Sequence, residues 1–192
     1  ATTVTSLTRE TRTRVDEVKV YNYVRSQAQI AWDYNRGGPV GHWKFDECQG
    51  TTAYDSSGNS NNGTINIGAT APQTSAGTCT TPTDGTGAWY NGVNGKYNSS
   101  LNFDGVDDYI DAGTSPSFNF GTNDFSLSAW FKIPISQTSL YPVLISKGTY
   151  NTVGGYIFYI VENKFRVYLD NKGPVNGLTD LNDNQWHHGV MT

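Results

Sequence analysis

The loop Asp55–Thr64 is the first stretch whose residue types could do chemistry. It reads Asp-Ser-Ser-Gly-Asn-Ser-Asn-Asn-Gly-Thr and is rich in oxygen donors. Calcium takes about six to eight oxygen ligands from carboxylates, amide side chains and backbone carbonyls. The pattern predicts a calcium site with Asp55 as a ligand and Asn59, Asn62 and Thr64 as further candidates. The alternative is a turn-forming loop that Asx-type hydrogen bonds stabilise without an ion.

A second acidic group consists of Asp104, Asp107, Asp108 and Asp111. Paired carboxylates can serve glycoside hydrolysis, where one acts as the acid and another as the nucleophile or base. Asp104 and Gly105 are also residue types that a tight turn requires. The group is therefore open to a catalytic and to a structural interpretation.

Histidine and aromatic residues give weaker signals. His187 and His188 follow Trp186 on an expected strand, where neighbouring residues face opposite sides, so both cannot point into one site. His42 is predicted to lie on a strand face. Sugar-binding sites use flat aromatic rings beside polar groups, but each candidate could equally pack under a loop, and the ligand-binding residues stay unknown. The candidates are Trp89, Tyr90, Trp130, Tyr141 and Tyr150.

The composition indicates that short strands position these residues. The chain of 192 residues is 36% hydrophobic and only 16% charged, and it has 21 glycines. This profile is typical of an all-β domain with many turns. A net charge of −4 without a Lys/Arg cluster excludes nucleic acid as an expected partner. The absence of an apolar run of about 20 residues argues against membrane insertion.

Alternation of apolar and polar residues predicts individual strands. It is clearest over Phe125–Ile133, and shorter strands are expected at Val143–Ser146, Tyr156–Val161 and Phe165–Leu169. Glu162-Asn163-Lys164 is expected to form a hairpin turn. Further strands are predicted in the first half, at Val15–Tyr21, Val40–Phe45, Ile65–Ile67 and around Leu101–Phe103 and Tyr109–Ile110. Ser26 is expected to cap a short helix over Gln27–Tyr34.

The two cysteines flank a long loop with few apolar anchors. A disulfide between Cys48 and Cys79 would fix this loop and contribute roughly 2–4 kcal/mol of stability. Two buried free thiols are the alternative. The disulfide interpretation implies an oxidising compartment, and so an extracellular or cell-surface location.

Several separate blocks closely resemble the laminin-G-like jelly roll of the concanavalin A-like lectin/glucanase superfamily. The resemblance covers roughly residues 38–192. The blocks are Leu101–Ile110, Asp124–Lys132, Val40–Glu47, Thr51–Asn59, Asn62–Thr64 and Trp186–His188. It implies a two-sheet antiparallel jelly-roll sandwich, with a short helix near the N-terminus. It also implies that the Asp55 loop binds a structural calcium with a carboxylate from the closing strand, here Asp16, as partner.

The resemblance argues against an enzyme. Glucanases of this superfamily carry a Glu-x-Asp-x-x-Glu strand motif, and the spacing does not occur in this chain, which has four glutamates. We expect no catalytic residues. The expected function is a binding or adhesion module, with a glycan or a cell-surface protein as ligand, in a secreted or surface-displayed multi-domain protein.

The order of the motifs is unusual for that family. Arg14–Asn22 resembles a segment that closes such a domain, yet here it comes first. We therefore expect residues 1–36 to be the tail of a preceding jelly roll or of the same one, and residues 37–192 to be a jelly roll that lacks its last strands. An incomplete sheet edge can recruit a strand from another chain. Self-assembly into an extracellular filament or sheath is accordingly an alternative function.

Overall fold

A computed structural model describes residues 14–26, 29–30, 39–121, 124–136, 141–148, 153–169 and 172–192. The regular structure of these residues is nearly all β-strand, with a short helix and a 3-10 turn besides. Among them, no helix has the length and apolar character needed to cross a membrane.

The elements follow one another closely in the chain. Their bounds are β1 Arg14–Tyr21, β2 Gly41–Trp43, β3 Thr52–Ala53, β4 Gly63–Asn66, α1 Ala88–Asn91, β5 Leu101–Asn102, β6 Tyr109–Asp111, the 3-10 turn Pro116–Phe118, β7 Ser126–Lys132, β8 Val143–Lys147, β9 Tyr156–Val161, β10 Lys164–Leu169, β11 Lys172–Asp180 and β12 Trp186–Met191.

Three antiparallel groups of strands enclose one main core. The first has the order β12-β7-β1-β2, with β5 also paired to β1; the second has the order β11-β10-β9-β8; the third is β3-β4-β6. Buried residues from all three groups pack into one cluster. The predicted all-β, antiparallel jelly-roll sandwich is confirmed.

The alternation of the sequence sets the orientation of β7. Leu127, Ala129 and Phe131 are buried in the core. Trp130 and Lys132 lie on the opposite face and are half-buried. Successive side chains of a strand point to opposite faces of the sheet, so the alternating pattern alone predicts this orientation.

The turn between β9 and β10 is one residue shorter than predicted. Val161 pairs with Lys164, so Lys164 belongs to the strand. Glu162 and Asn163 have φ values of 50° and 64°. Two successive left-handed residues form the type I′ turn that matches the twist of a two-residue hairpin.

β1 lies inside the first sheet although it comes first in the chain. It pairs with β7 on one side and with β2 and β5 on the other. Val15, Val18 and Val20 point into the core and are at most 2% exposed. The strand thus completes the sheet within the same chain, while the division of the chain at residue 36 stays a prediction.

The predicted helix after Ser26 falls mostly outside the described residues. Its start is described: the Ser26 hydroxyl accepts a hydrogen bond from the Gln29 backbone N–H, and the Gln29 side-chain oxygen accepts one from the Ser26 backbone N–H. This reciprocal pair is a capping box, which satisfies two backbone donors at a helix start.

A disulfide joins Cys48 to Cys79, as one of the two interpretations of the cysteines predicts. It connects the end of the β2 segment to the long excursion between β4 and β5. Closing a loop of 31 residues restricts the unfolded chain and contributes about 3–4 kcal/mol in the loop-entropy picture. Within the excursion, the buried indole of Trp89 on α1 donates to the carbonyl oxygen of Gly50 and adds a second attachment.

Candidate metal centre

Three aspartates form a compact group between β5 and β6. One carboxylate oxygen from each of Asp104, Asp107 and Asp108 lies within 4.8 Å of the others. Asp104 and Asp108 are buried, at 3% and 1% exposure. The tight turn that Asp104 and Gly105 predict is the element that brings the three together.

These carboxylates attach the long excursion to the sandwich. Asp108 accepts a hydrogen bond from the Gly68 backbone N–H, and Asp104 accepts one from that of Gln73, at 3.1 and 3.2 Å. Asp107 accepts a longer one from Thr70, at 3.3 Å. Residues 68–73 thus present their backbone amides to the aspartates. The contact joins positions 30 to 40 residues apart, so spacing along the sequence does not reveal it.

The electrostatics of the group favour a positive partner. The pKa of Asp108 is raised to about 6, mainly by burial and secondarily by the charges of Asp104 and Asp107, against the lowering effect of two backbone hydrogen bonds. The Oδ1 atom of Asp107 is buried and has no hydrogen-bond partner among the described residues. A cation beside it would relieve the repulsion and supply the missing partner.

Gly68 leaves the space that Asp107 occupies. A Cβ atom built on Gly68 would lie 1.8 Å from the Asp107 carboxyl carbon. Only a residue without a side chain can lie there while Asp107 keeps its position. The three carboxylates, the orphaned oxygen and this glycine fit a hard cation such as Ca²⁺, which prefers oxygen ligands.

The predicted calcium loop around Asp55 is saturated with protein donors. The Asp55 carboxylate accepts hydrogen bonds from the backbone N–H groups of His42, Ser57 and Asn61 and from the Ser57 hydroxyl. Burial acts to raise its pKa, but these hydrogen bonds outweigh burial and hold the pKa below its ordinary value. Hydrogen bonds of this kind are the ones that an Asx-type loop makes.

The other predicted ligands of this loop are partly engaged. Asn59 donates its amide to the Val40 carbonyl oxygen, and Asn62 accepts the Asp55 backbone N–H. Thr64 is exposed on β4. The calcium assignment of this loop stays a prediction.

Asp16 lies in a different environment from Asp55. It is fully buried on β1, and its Oδ2 accepts the backbone N–H groups of Lys96 and Tyr97. Its Oδ1 has no partner among the described residues. Burial, followed by the like charges of Glu17 and Asp46, raises its pKa to about 8. The hydrogen bonds of the described residues do not join Asp16 to the Asp55 loop.

The two neighbouring histidines face opposite sides of β12, as predicted. His187 lies 6.1 Å from the ring of Phe131 and contacts Asp183 at 2.9 Å. His188 stacks on Trp130 at 5.0 Å, and its pKa falls to about 4 because of burial and, secondarily, the charge of Lys19. This arrangement is structural packing.

The candidate sugar-binding aromatics do not form one surface. Trp89 is fully buried and belongs to the core. Trp130 is covered by the Lys96 ammonium group at 4.5 Å and by the edge of Tyr97 at 6.0 Å. Tyr90 is half-buried and Tyr141 is exposed, whereas Tyr150 lies outside the described residues.

A polar and aromatic surface occurs instead on the outer face of the small sheet β3-β4-β6. Ile65 and Ile110 point into the core, so their strand neighbours point outward. Tyr109 pairs with Asn66, and Asp111 pairs with Thr64. Tyr109 is 38% exposed. The acidic group immediately precedes this face in the chain.

A groove of about 320 Å³ opens between β11 and β12. Its lining includes Phe131, Phe165 and Leu181, and it also includes Leu178, whose side chain is 90% exposed. The lining contains two histidines and no other titratable group. The groove offers both apolar and polar contact area.

Residues 103–192 match the family model of the concanavalin A-like lectin/glucanases superfamily that represents laminin-G-like domains. The match covers just under half of the chain and includes the three clustered aspartates and all strands from β6 to β12. The resemblance read from the sequence is confirmed over these residues. Neither the comparison with curated proteins nor that with solved structures found a match.

Proposed function

We propose that this protein is a non-catalytic, calcium-stabilised binding module that recognises glycans outside the cell. Its superfamily contains lectins and glucanases, so both binding and hydrolysis are within its range. The observation that carries the proposal is the geometry of the acidic group. Asp104 and Asp108 are buried, Asp107 is half-buried, and all three carboxylates accept backbone N–H groups of residues 68–73, so they attach a loop and are not poised across an open cleft. The Cys48–Cys79 disulfide supports the extracellular location.

In this proposal Asp104, Asp107 and Asp108 hold the calcium ion. The ion supplies positive charge to three carboxylates that repel one another. It therefore strengthens the attachment of residues 68–73 to the start of β6. The ligand-binding surface beside it becomes more rigid as a result.

Calcium is expected to raise the melting temperature of the wild-type protein, and Asp107→Asn is expected to abolish that shift. Ligand binding to the folded state alone contributes about 3 kcal/mol at a hundredfold excess over Kd. Thermal unfolding with calcium and with a chelator measures the effect. Asp111→Asn is the matched control, because Asp111 lies on the following strand, β6, and outside the compact group of Asp104, Asp107 and Asp108.

Two other results would contradict the metal assignment. A wild-type protein that does not respond to calcium excludes the ion. If Asp55→Asn abolishes the response and Asp107→Asn keeps it, the ion binds in the Asp55–Thr64 loop.

The glycan surface is assigned to the outer face of β3-β4-β6. Tyr109 offers an aromatic ring, and Asn66, Thr64 and Asp111 offer amide, hydroxyl and carboxylate groups around it. This combination suits the apolar faces and hydroxyl groups of a sugar. The acidic group positions the first residue of β6 and thus links calcium to this face.

Tyr109→Ala is expected to weaken glycan binding by about tenfold, because the ring supplies the apolar contact. A glycan array, followed by titration of the strongest ligand with calcium and with chelator, measures it. Tyr141→Ala removes another exposed tyrosine and should leave affinity unchanged. Equal losses in both variants contradict the assignment of this face, and release of sugars from glucans contradicts the non-catalytic function.

A further inference from the structure

β1 lies in the middle of its sheet, and most of its pairing partners are distant in the sequence. It lies between β7 and β2, and Val20 pairs with Leu127 on one side and with Gly41 on the other. Apart from β2, its partners come from strands far later in the chain. Its place in the sheet therefore depends little on local chain connectivity.

The connection that follows β1 is much longer than its geometry requires. β1 and β2 are antiparallel neighbours whose ends meet, since the Val40 backbone N–H donates to the Val20 carbonyl oxygen at 2.8 Å. A two-residue turn can close such a hairpin. Here residues 22–40 form the connection. Fully extended, they span about 60 Å, which exceeds the diameter of about 40 Å expected for a domain of this size.

The sheet also contains local defects around β1. Its register with β7 shifts between Asp16 and Lys19, and Glu17 in this bulge has a φ of 50°. Arg14 lies directly opposite Lys132, and like charges directly opposite each other destabilise a sheet. Asp16 is fully buried with one oxygen unpaired among the described residues. Each defect lowers the free energy needed to withdraw the strand.

We propose that β1 is an exchangeable strand, which leaves its own sheet and fills the same position between β7 and β2 in a second copy of this chain. The proposal goes beyond glycan binding, because it concerns the contact between copies. The exchanged and the closed forms bury the same valines in the same core. Their free energies therefore differ mainly by the tether and by protein concentration.

Exchange is tested with cysteines placed at opposing positions of β1 and β7. Arg14 and Lys132 are register partners and both are half-buried. Full-length chains carrying Arg14→Cys alone are mixed with chains carrying Lys132→Cys alone, concentrated, diluted and oxidised. We expect a covalent dimer that links the two cysteines, identified by mass spectrometry. It should become the major species as the concentration approaches the effective concentration of the tether, on the order of millimolar.

In the matched control, Lys164→Cys takes the place of Lys132→Cys. Lys164 is half-buried and lies on β10, in the sheet β11-β10-β9-β8. Its dimer measures random collisions. Equal amounts of dimer in the two mixtures overturn the proposal. The double variant Arg14→Cys/Lys132→Cys confirms the geometry by forming the bond within one chain, which should also abolish dimerisation. If that bond does not form, all mixtures are repeated with Lys19→Cys in place of Arg14→Cys and Ser128→Cys in place of Lys132→Cys, because Lys19 and Ser128 are also register partners.

Discussion

Asp16→Asn is expected to remove most of a steep pH dependence from the free energy of unfolding. Burial, then the charges of Glu17 and Asp46, raise the pKa of Asp16 to about 8 in the folded protein, whereas an unfolded aspartate titrates near its ordinary value of 3.8. Between these two values the folded state binds the extra proton, so the stability falls as pH rises. The loss is about 1.4 kcal/mol per pH unit and on the order of 6 kcal/mol in total.

The variant should behave differently at the two ends of this range. Its amide oxygen can still accept the N–H groups of Lys96 and Tyr97, but the NH₂ group takes the place of the unpaired oxygen. The protonated wild-type carboxyl carries an unpaired donor on that same oxygen, so the two proteins should have similar stability near pH 4. We expect the variant to be more stable than wild type near pH 9, where the buried wild-type carboxyl is ionised and the amide is not.

Denaturant titrations at pH 4 to 9 measure both stability curves. Asp108 titrates in the same direction, with its pKa raised to about 6. Because it is present in both proteins, it cancels in the difference between the curves. Asp84→Asn, at an exposed loop residue, is the control and should keep the wild-type slope. Parallel curves for wild type and Asp16→Asn would show that Asp16 is not the source of the pH dependence.

Trp43→Ala is expected to cost about 3–5 kcal/mol of folding free energy, as for other large aromatic side chains truncated in a core. Trp43 is fully buried on β2 and lies 5.9 Å from the ring of Phe118. Its indole N–H donates to the Asn61 carbonyl oxygen at 2.9 Å. One side chain thus fills the core and attaches the Asp55–Thr64 loop. Equilibrium unfolding in guanidinium chloride measures the loss.

A second variant separates the two roles of Trp43. Trp43→Phe keeps most of the apolar volume but leaves the Asn61 carbonyl without this donor, which should cost about 1–3 kcal/mol. It also gives a measurable result if the alanine variant does not fold. The exposed residue Tyr141 serves as the control, since its truncation should change stability by less than about 0.5 kcal/mol. If Trp43→Ala costs less than about 0.5 kcal/mol, the placement of β2 in the core is contradicted.

The fold was predictable where a strand shows either alternation of apolar and polar residues or a continuous apolar run. The alternation from Phe125 to Ile133 predicts β7, and the apolar run Tyr156–Val161 predicts β9. β11, at Lys172–Asp180, was not predicted. It contains two glycines and a proline, and nearly all its residues are exposed. β11 is extended because it pairs with β10. Since neither of its faces is buried, its sequence does not alternate between apolar and polar residues.

The candidate site was only partly predictable, because its partners are distant in the chain. The sequence shows four neighbouring aspartates from Asp104 to Asp111, but it does not show that three of them meet the amides of residues 68–73. Gly68 carried no signal either, since its role depends on the approach of Asp107. The grouping of Asp16 with Asp55 that the resemblance implies stays a prediction, and the sequence did not show that Asp16 accepts the N–H groups of residues 96 and 97. Such contacts are decided by tertiary packing, which residue spacing does not encode.

The place of β1 in the sheet also determines how long this strand waits for its partner β7 during synthesis on the ribosome. Val20 pairs with Leu127, and a chain that grows at about 5–20 residues per second reaches Leu127 roughly 5–20 s after Val20. During that delay Val15, Val18 and Val20 have no β7 to pack against. The nascent β1 therefore keeps an unpaired edge on its β7 side until Ser126–Lys132 has been made.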